Sequence, residues 1–205
     1  LVVFGLVALS LFLTMDIEIY DDAYMFIRYA NNLNEFSTYG WNFNEKAYGC
    51  TSLIYTFSTF VGLKTGLIDL LGSYKYLKFQ YLFYLFLALG LSQYFINKYL
   101  NTGLNDFSFF IVSFISLITI AISARHINGM DTSLSILSNL VLVFVAVMYL
   151  KDKNSKNLAL MIFCGYFNFL VRPDNLLYSI LFTALVLFIN QWTKKDLILY
   201  GVISI

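Results

Sequence analysis

Apolar residues run in long blocks along this chain, separated by short polar stretches, and the length of each block sets the elements to expect. A helix rises about 1.5 Å per residue, so roughly 20 apolar residues cross a hydrocarbon core of about 30 Å. Blocks that meet or approach this length predict spans at Tyr76 to Ile96, Phe107 to Ala124, Leu134 to Leu150, Leu158 to Val171 and Leu176 to Trp192. Leu1 to Met15 reads as a first helix cut at its start, being short and lacking both an initiating Met and a basic flank. Another block opens at Leu197 and stops at Ile205. The expected fold is therefore all-α, a polytopic transmembrane helical bundle truncated at both ends, with residues 1–205 forming the N-terminal part of a longer membrane domain.

One block resists this treatment. Between Thr51 and Leu71, Lys64 and Asp69 leave only Leu53 to Leu63 as an apolar stretch. Short loops rich in Lys and Arg stay cytoplasmic. With Lys151, Lys153, Lys156, Lys194 and Lys195 inside, counting spans backward puts Arg125 to Asp131 and Asp69 to Lys75 outside. The loop from Asp16 to Cys50 also lies outside, so Thr51 to Leu71 joins two outer segments and is expected to be re-entrant or interfacial. A full crossing there is the alternative, and it would place the lysine loops outside. The first topology gives Asp16 to Cys50, Arg125 to Asp131 and Arg172 to Asn175 the same, non-cytoplasmic side.

Composition agrees with the blocks: 60% of residues are hydrophobic and only 12% charged, against roughly 25% charged in soluble domains. A net charge of +1 supplies no field for nucleic acid, so no nucleic-acid partner is expected. Cys50 and Cys164 match neither a metal spacing nor a disulfide framework.

The chemistry concentrates in the outer polar stretches. Asp16, Glu18, Asp21 and Asp22 precede the first basic residue, Arg28. Carboxylates clustered this way raise one another's pKa and favour a general base, a cation, or both. From Asp21 to Leu33 the apolar residues Ala23, Phe26, Ile27, Ala30 and Leu33 follow helical spacing. The opposite face carries Asp21, Tyr24, Arg28 and Asn31 or Asn32, which predicts an amphipathic helix lying on the membrane. An Asp at a helix start can be a simple cap, and Trp41 and Tyr48 can be interfacial anchors. The second stretch brings Arg125, His126 and Asp131 to a boundary, where headgroup anchoring and capping by Asp131 compete with substrate binding. The third, VRPDNLL, holds Arg172, Pro173 and Asp174. A cation at the end of a short apolar helix calls for an anion, whether lipid phosphate, substrate phosphate or the acidic loop.

Taken together, DDAYMFIRYANNL, YGCTS, GMDTSL and RPDNLL resemble, in order, the motifs of the multi-span GT-C glycosyltransferases. The likeness is closest to the branch containing the mycobacterial terminal arabinofuranosyltransferases. It covers Asp21 to Leu177, with Cys50 where Tyr is usual and Asp131 and Asp174 in place of Glu. The resemblance implies an extracytoplasmic active site in the plasma (inner) membrane. It further implies a polyprenyl-phosphate-linked sugar donor, and an acceptor that is a glycan or a lipid-linked molecule. Asp21 is then expected as catalytic base and Asp22 as second carboxylate, with Tyr24, Arg28, Arg125, His126, Asp131, Arg172 and Asp174 binding substrate. Some GT-C enzymes use a divalent cation and others need no cofactor; Asp21 and Asp22 are the candidate ligands for such a cation. Membrane lipids are the remaining partner. The competing expectation is a transporter or flippase of lipid-linked substrates.

Overall fold

The computed structural model describes residues 21–42, 49–95, 97–98 and 129–189, and every regular element among them is helical. In chain order these are α1 (Asp21–Phe36), α2 (Leu53–Lys64), α3 (Leu67–Leu71), α4 (Ser73–Phe95), α5 (Thr132–Lys151), α6 (Ser155–Val171) and α7 (Asn175–Ile189). The expected spans at Leu1 to Met15, Phe107 to Ala124 and beyond Leu197 lie outside the described residues.

Local chemistry sets the boundaries. Ser52 opens α2, its Oγ accepting the Tyr55 N–H at 3.3 Å. Asn154 opens α6 in the same way, its Oδ1 accepting from the Asn157 N–H at 2.7 Å. Gly66, at φ 73°, takes the left-handed conformation that separates α2 from α3. Pro173 holds the residue before it extended, and α6 stops at Val171.

Thr51 to Leu71 therefore does not form one helix. At 12 residues, α2 is about 18 Å long, well short of a hydrocarbon core of roughly 30 Å. Among the described residues one helix, α5, is both long and apolar enough to cross a membrane, while α6 and α7 are apolar but shorter.

Two cores mark opposite ends of the packing. Leu142, Val145, Ala146 and Tyr149 of α5 meet Leu158, Met161 and Ile162 of α6 and Val186 and Leu187 of α7. At the other end, Phe26 and Tyr29 of α1 join Cys50, Tyr55 of α2, Leu134 at the start of α5 and Val171 at the end of α6. Beside this second core, Ala23 and Ile27 of α1 pack with Leu77 of α4 and against Met130.

The apolar face expected for α1 exists, but protein covers it. Ala23, Phe26, Ile27 and Ala30 are buried, and Phe26 meets the Tyr55 ring edge-on at 4.7 Å between centroids. Leu33 is half-buried. With that face closed against α2 and α4, α1 has no stripe left to lay on lipid, which corrects the surface-lying arrangement expected from periodicity alone.

Candidate functional site

The second core gathers the described parts of all three polar stretches at one end of the helices. Tyr55 Oη donates to the Gly129 carbonyl at 2.9 Å, tying α2 to the turn before α5. Gly49 N–H donates to Tyr29 Oη at 3.1 Å, tying the end of the acidic loop to α1. Asp22 precedes Ala23 and Asp131 follows Met130, so the Ala23 and Met130 packing brings the acidic pair's helix to the Asp131 turn.

Asp131 is the most perturbed carboxylate there. It is 1% exposed and occupies the N-cap position of α5, yet its side chain makes no capping bond. Its Oδ1 lies 3.7 Å from Arg172 Nη1, while its Oδ2 and the neighbouring Ser133 Oγ are buried with no hydrogen-bond partner among the described residues. Burial raises the Asp131 carboxyl above the ordinary 3.8, and the Arg172 guanidinium opposes that rise.

Arg172 is held from two sides. Its Nε donates to Asp174 Oδ1 at 3.0 Å and its Nη2 meets Asp174 Oδ2 at 3.0 Å, the planar fork that carboxylates accept. The anions that Arg172 finds are thus Asp174 beside it in sequence and Asp131 from the preceding loop. The Asp174 side chain is 66% exposed, against 2% for Asp131, so Asp174 is the partner that an incoming anion can displace.

Asp21 and Asp22 occupy the first turn of α1, both exposed. Among the described residues no three His, Cys, Asp or Glu side chains cluster as metal ligands. Tyr24 and Arg28 sit on the exposed face of α1 and line an open cleft with Ile27, Asn31, Asn32, Glu35 and Trp41. Arg28 donates from Nε to the Trp41 carbonyl at 2.9 Å and stacks over the Trp41 ring at 4.4 Å. Arg125 and His126 lie outside the described residues.

Sequence reasoning missed a buried polar hub. Asn168 in α6 is 0% exposed; its Oδ1 accepts from Ser138 Oγ at 2.5 Å and its Nδ2 donates to Asn139 Oδ1 at 2.6 Å and Ser179 Oγ at 3.0 Å. Asn175 extends the hub, donating to Asn168 Oδ1 at 3.1 Å and to Ser135 Oγ at 2.9 Å. The hub joins α5, α6 and α7 just inside the Arg172 turn. Its signal was legible as an Asn inside an otherwise apolar span, a placement that demands hydrogen-bond partners.

Across the described chain these helices match no protein-family model, no curated protein and no solved structure.

Proposed function

We propose that this chain belongs to a polytopic inner-membrane glycosyltransferase of the GT-C type, working on the extracytoplasmic face. It would transfer a sugar with inversion from a polyprenyl-monophosphate donor to an acceptor hydroxyl. The observation that carries the reading is the gathering, at one end of the helices, of an exposed acidic pair, a buried carboxylate and an arginine with a displaceable partner. The membrane part rests on α5 and on the apolar exteriors of α2, α6 and α7, which turn polar side chains such as Thr56, Thr59, Asn168, Ser179 and Thr183 inward.

In the proposed reaction the acceptor oxygen attacks the anomeric carbon as a carboxylate takes the hydroxyl proton, and the bond from that carbon to the phosphate oxygen breaks. Asp21 is assigned as base, and Asp22 orients the acceptor. Arg172, released from Asp174, neutralises the departing polyprenyl phosphate. Asp131 keeps the guanidinium in place from the buried side. A transporter is less well supported, since the polar side chains between α5, α6 and α7 close on one another through hydrogen bonds.

The test is transfer from polyprenyl-monophosphate-linked sugars by Asp21→Asn and Asp22→Asn in the full chain. Loss of a catalytic base lowers rate by about 10²- to 10⁴-fold, whereas a helix cap tolerates Asn. Near-normal transfer by both variants would overturn the assignment.

A further inference from the structure

The cleft on the exposed face of α1 is built rather than incidental. Ser37 leaves α1 in a left-handed conformation, φ 53°, and the turn after it folds back along the helix. Asn32 Nδ2 donates to the Gly40 carbonyl at 2.7 Å and to the Trp41 carbonyl at 3.0 Å, and Arg28 Nε takes the same Trp41 carbonyl. Two side chains of α1 therefore strap the turn down, and Trp41 becomes a wall opposite Tyr24 and Glu35. Tyr29 supports that wall from beneath, its ring 6.4 Å from Trp41. The cleft is open to the surface, and its volume is about 460 Å³, within the roughly 300–1,000 Å³ range of small-molecule clefts.

The lining selects among occupants. Trp41 is 41% exposed and Tyr24 38%, so both offer ring surface to a ligand. Asn31 carries donor and acceptor, Glu35 accepts, and the terminal nitrogens of Arg28 donate. Groups that both give and take hydrogen bonds suit hydroxyls, which do the same. Among the described residues the lining's cation, Arg28, and its carboxylate, Glu35, balance, while α1 as a whole holds Asp21, Asp22 and Glu35 against Arg28. The guanidinium, moreover, is already bound to a carbonyl and stacked on Trp41. Among the described residues of the lining, a phosphate would meet no excess positive charge.

We propose that this cleft binds a neutral carbohydrate, and that it is the acceptor subsite of the reaction. The second half rests on the glycosyl-transfer reading; carbohydrate binding does not. The assignment gives Arg28 to the acceptor rather than to the donor phosphate.

The full chain in lipid nanodiscs, without any donor, is applied to an immobilised panel of neutral pentose and hexose oligosaccharides with their sulfated and phosphorylated counterparts. Retention of at least one neutral oligosaccharide is expected, weakened about tenfold by Trp41→Ala and by Asn31→Leu. Glu35→Gln, at an exposed position, is expected to weaken it less. Retention of charged members only, or of none, overturns the proposal, as does retention that Trp41→Ala and Asn31→Leu both leave unchanged. Binding that follows the cleft variants, with no transfer from any polyprenyl-phosphate sugar, keeps the carbohydrate site and overturns the transferase reading. Transfer that continues at the parental acceptor KM in Trp41→Ala and Asn31→Leu keeps the transferase and removes the acceptor from this cleft.

Discussion

α1 and α2 pack against each other and obey opposite rules. In α1 the apolar residues Ala23, Phe26 and Ala30 are 0% exposed while Asp21, Asp22 and Arg28 face outward, the arrangement of a helix beside water. In α2 it is Thr56 and Thr59 that are 0% exposed, while Leu53, Phe57 and Val61 stand outside at 47%, 58% and 45%. α7 repeats the inversion, with Ser179 and Thr183 inside and Leu181 and Phe188 outside. Polar groups buried between helices need partners, and they have them: Thr59 Oγ1 donates to Gln80 Oε1 at 3.1 Å. On the membrane reading proposed above, neighbouring helices of opposite polarity meet two neighbouring solvents. On that reading the boundary between them passes beside Asp131 and Arg172.

The comparison breaks most visibly where α2 touches α4. A Cβ on Gly62 would lie 2.1 Å from Tyr76 Oη and 2.3 Å from its ring, leaving no room for a methyl group. Gly62→Ala must expel that ring and its bond to the Ser58 carbonyl, a loss expected at about 1–3 kcal/mol and visible as a lowered unfolding midpoint in detergent. A parental midpoint would show that the inverted packing of α2 is not what holds it. Next in size is Asn168→Leu, which strands partners in α5 and α7; a loss of about 1–2 kcal/mol is expected, the upper range for polar contacts between helices packed in a membrane.

A smaller effect sharpens the boundary itself. Because burial raises the Asp131 pKa in the folded state, folding favours its protonated form. The sign follows: its contribution to stability is greatest below 3.8 and falls as pH rises to and through the raised value. The stability difference between Asp131→Asn and the parent should therefore shift in favour of the variant as pH climbs across that window, read from thermal midpoints at a series of pH values. A difference that does not change with pH would mean that Asp131 meets more water than its burial allows.

The smallest change tests the two solvents directly. With Trp41 and Trp192 replaced by Phe, Phe57→Trp should be quenched by brominated lipid chains and Tyr24→Trp should not. Neither substitution should alter stability by more than about 0.5 kcal/mol, as is usual for outward-facing positions. Quenching at Tyr24→Trp would return α1 to the lipid surface.

The residues alone determined the helical class, the positions of α5 and α6 to within a few residues, and the break within Thr51 to Leu71, because block length and charged interruptions are local properties of the chain. They also determined the two faces of α1, since helical periodicity is local as well. What covers those faces was a different matter. Periodicity says that Ala23, Phe26 and Ile27 share a side, but lipid and protein satisfy an apolar stripe equally well, and only the packing of Tyr55, Leu77 and Met130 chose protein. The partners of Arg172 were similarly undecided, because an arginine at a helix end accepts any nearby anion; the folding of α5 beside α6 supplied Asp131. Trp41 reads as an interfacial anchor until Arg28 and Asn32 are seen to bind its carbonyl across 13 and 9 positions of sequence. Hydrogen bonds across such separations depend on where the chain turns back, and that is settled only when the whole end of the bundle assembles.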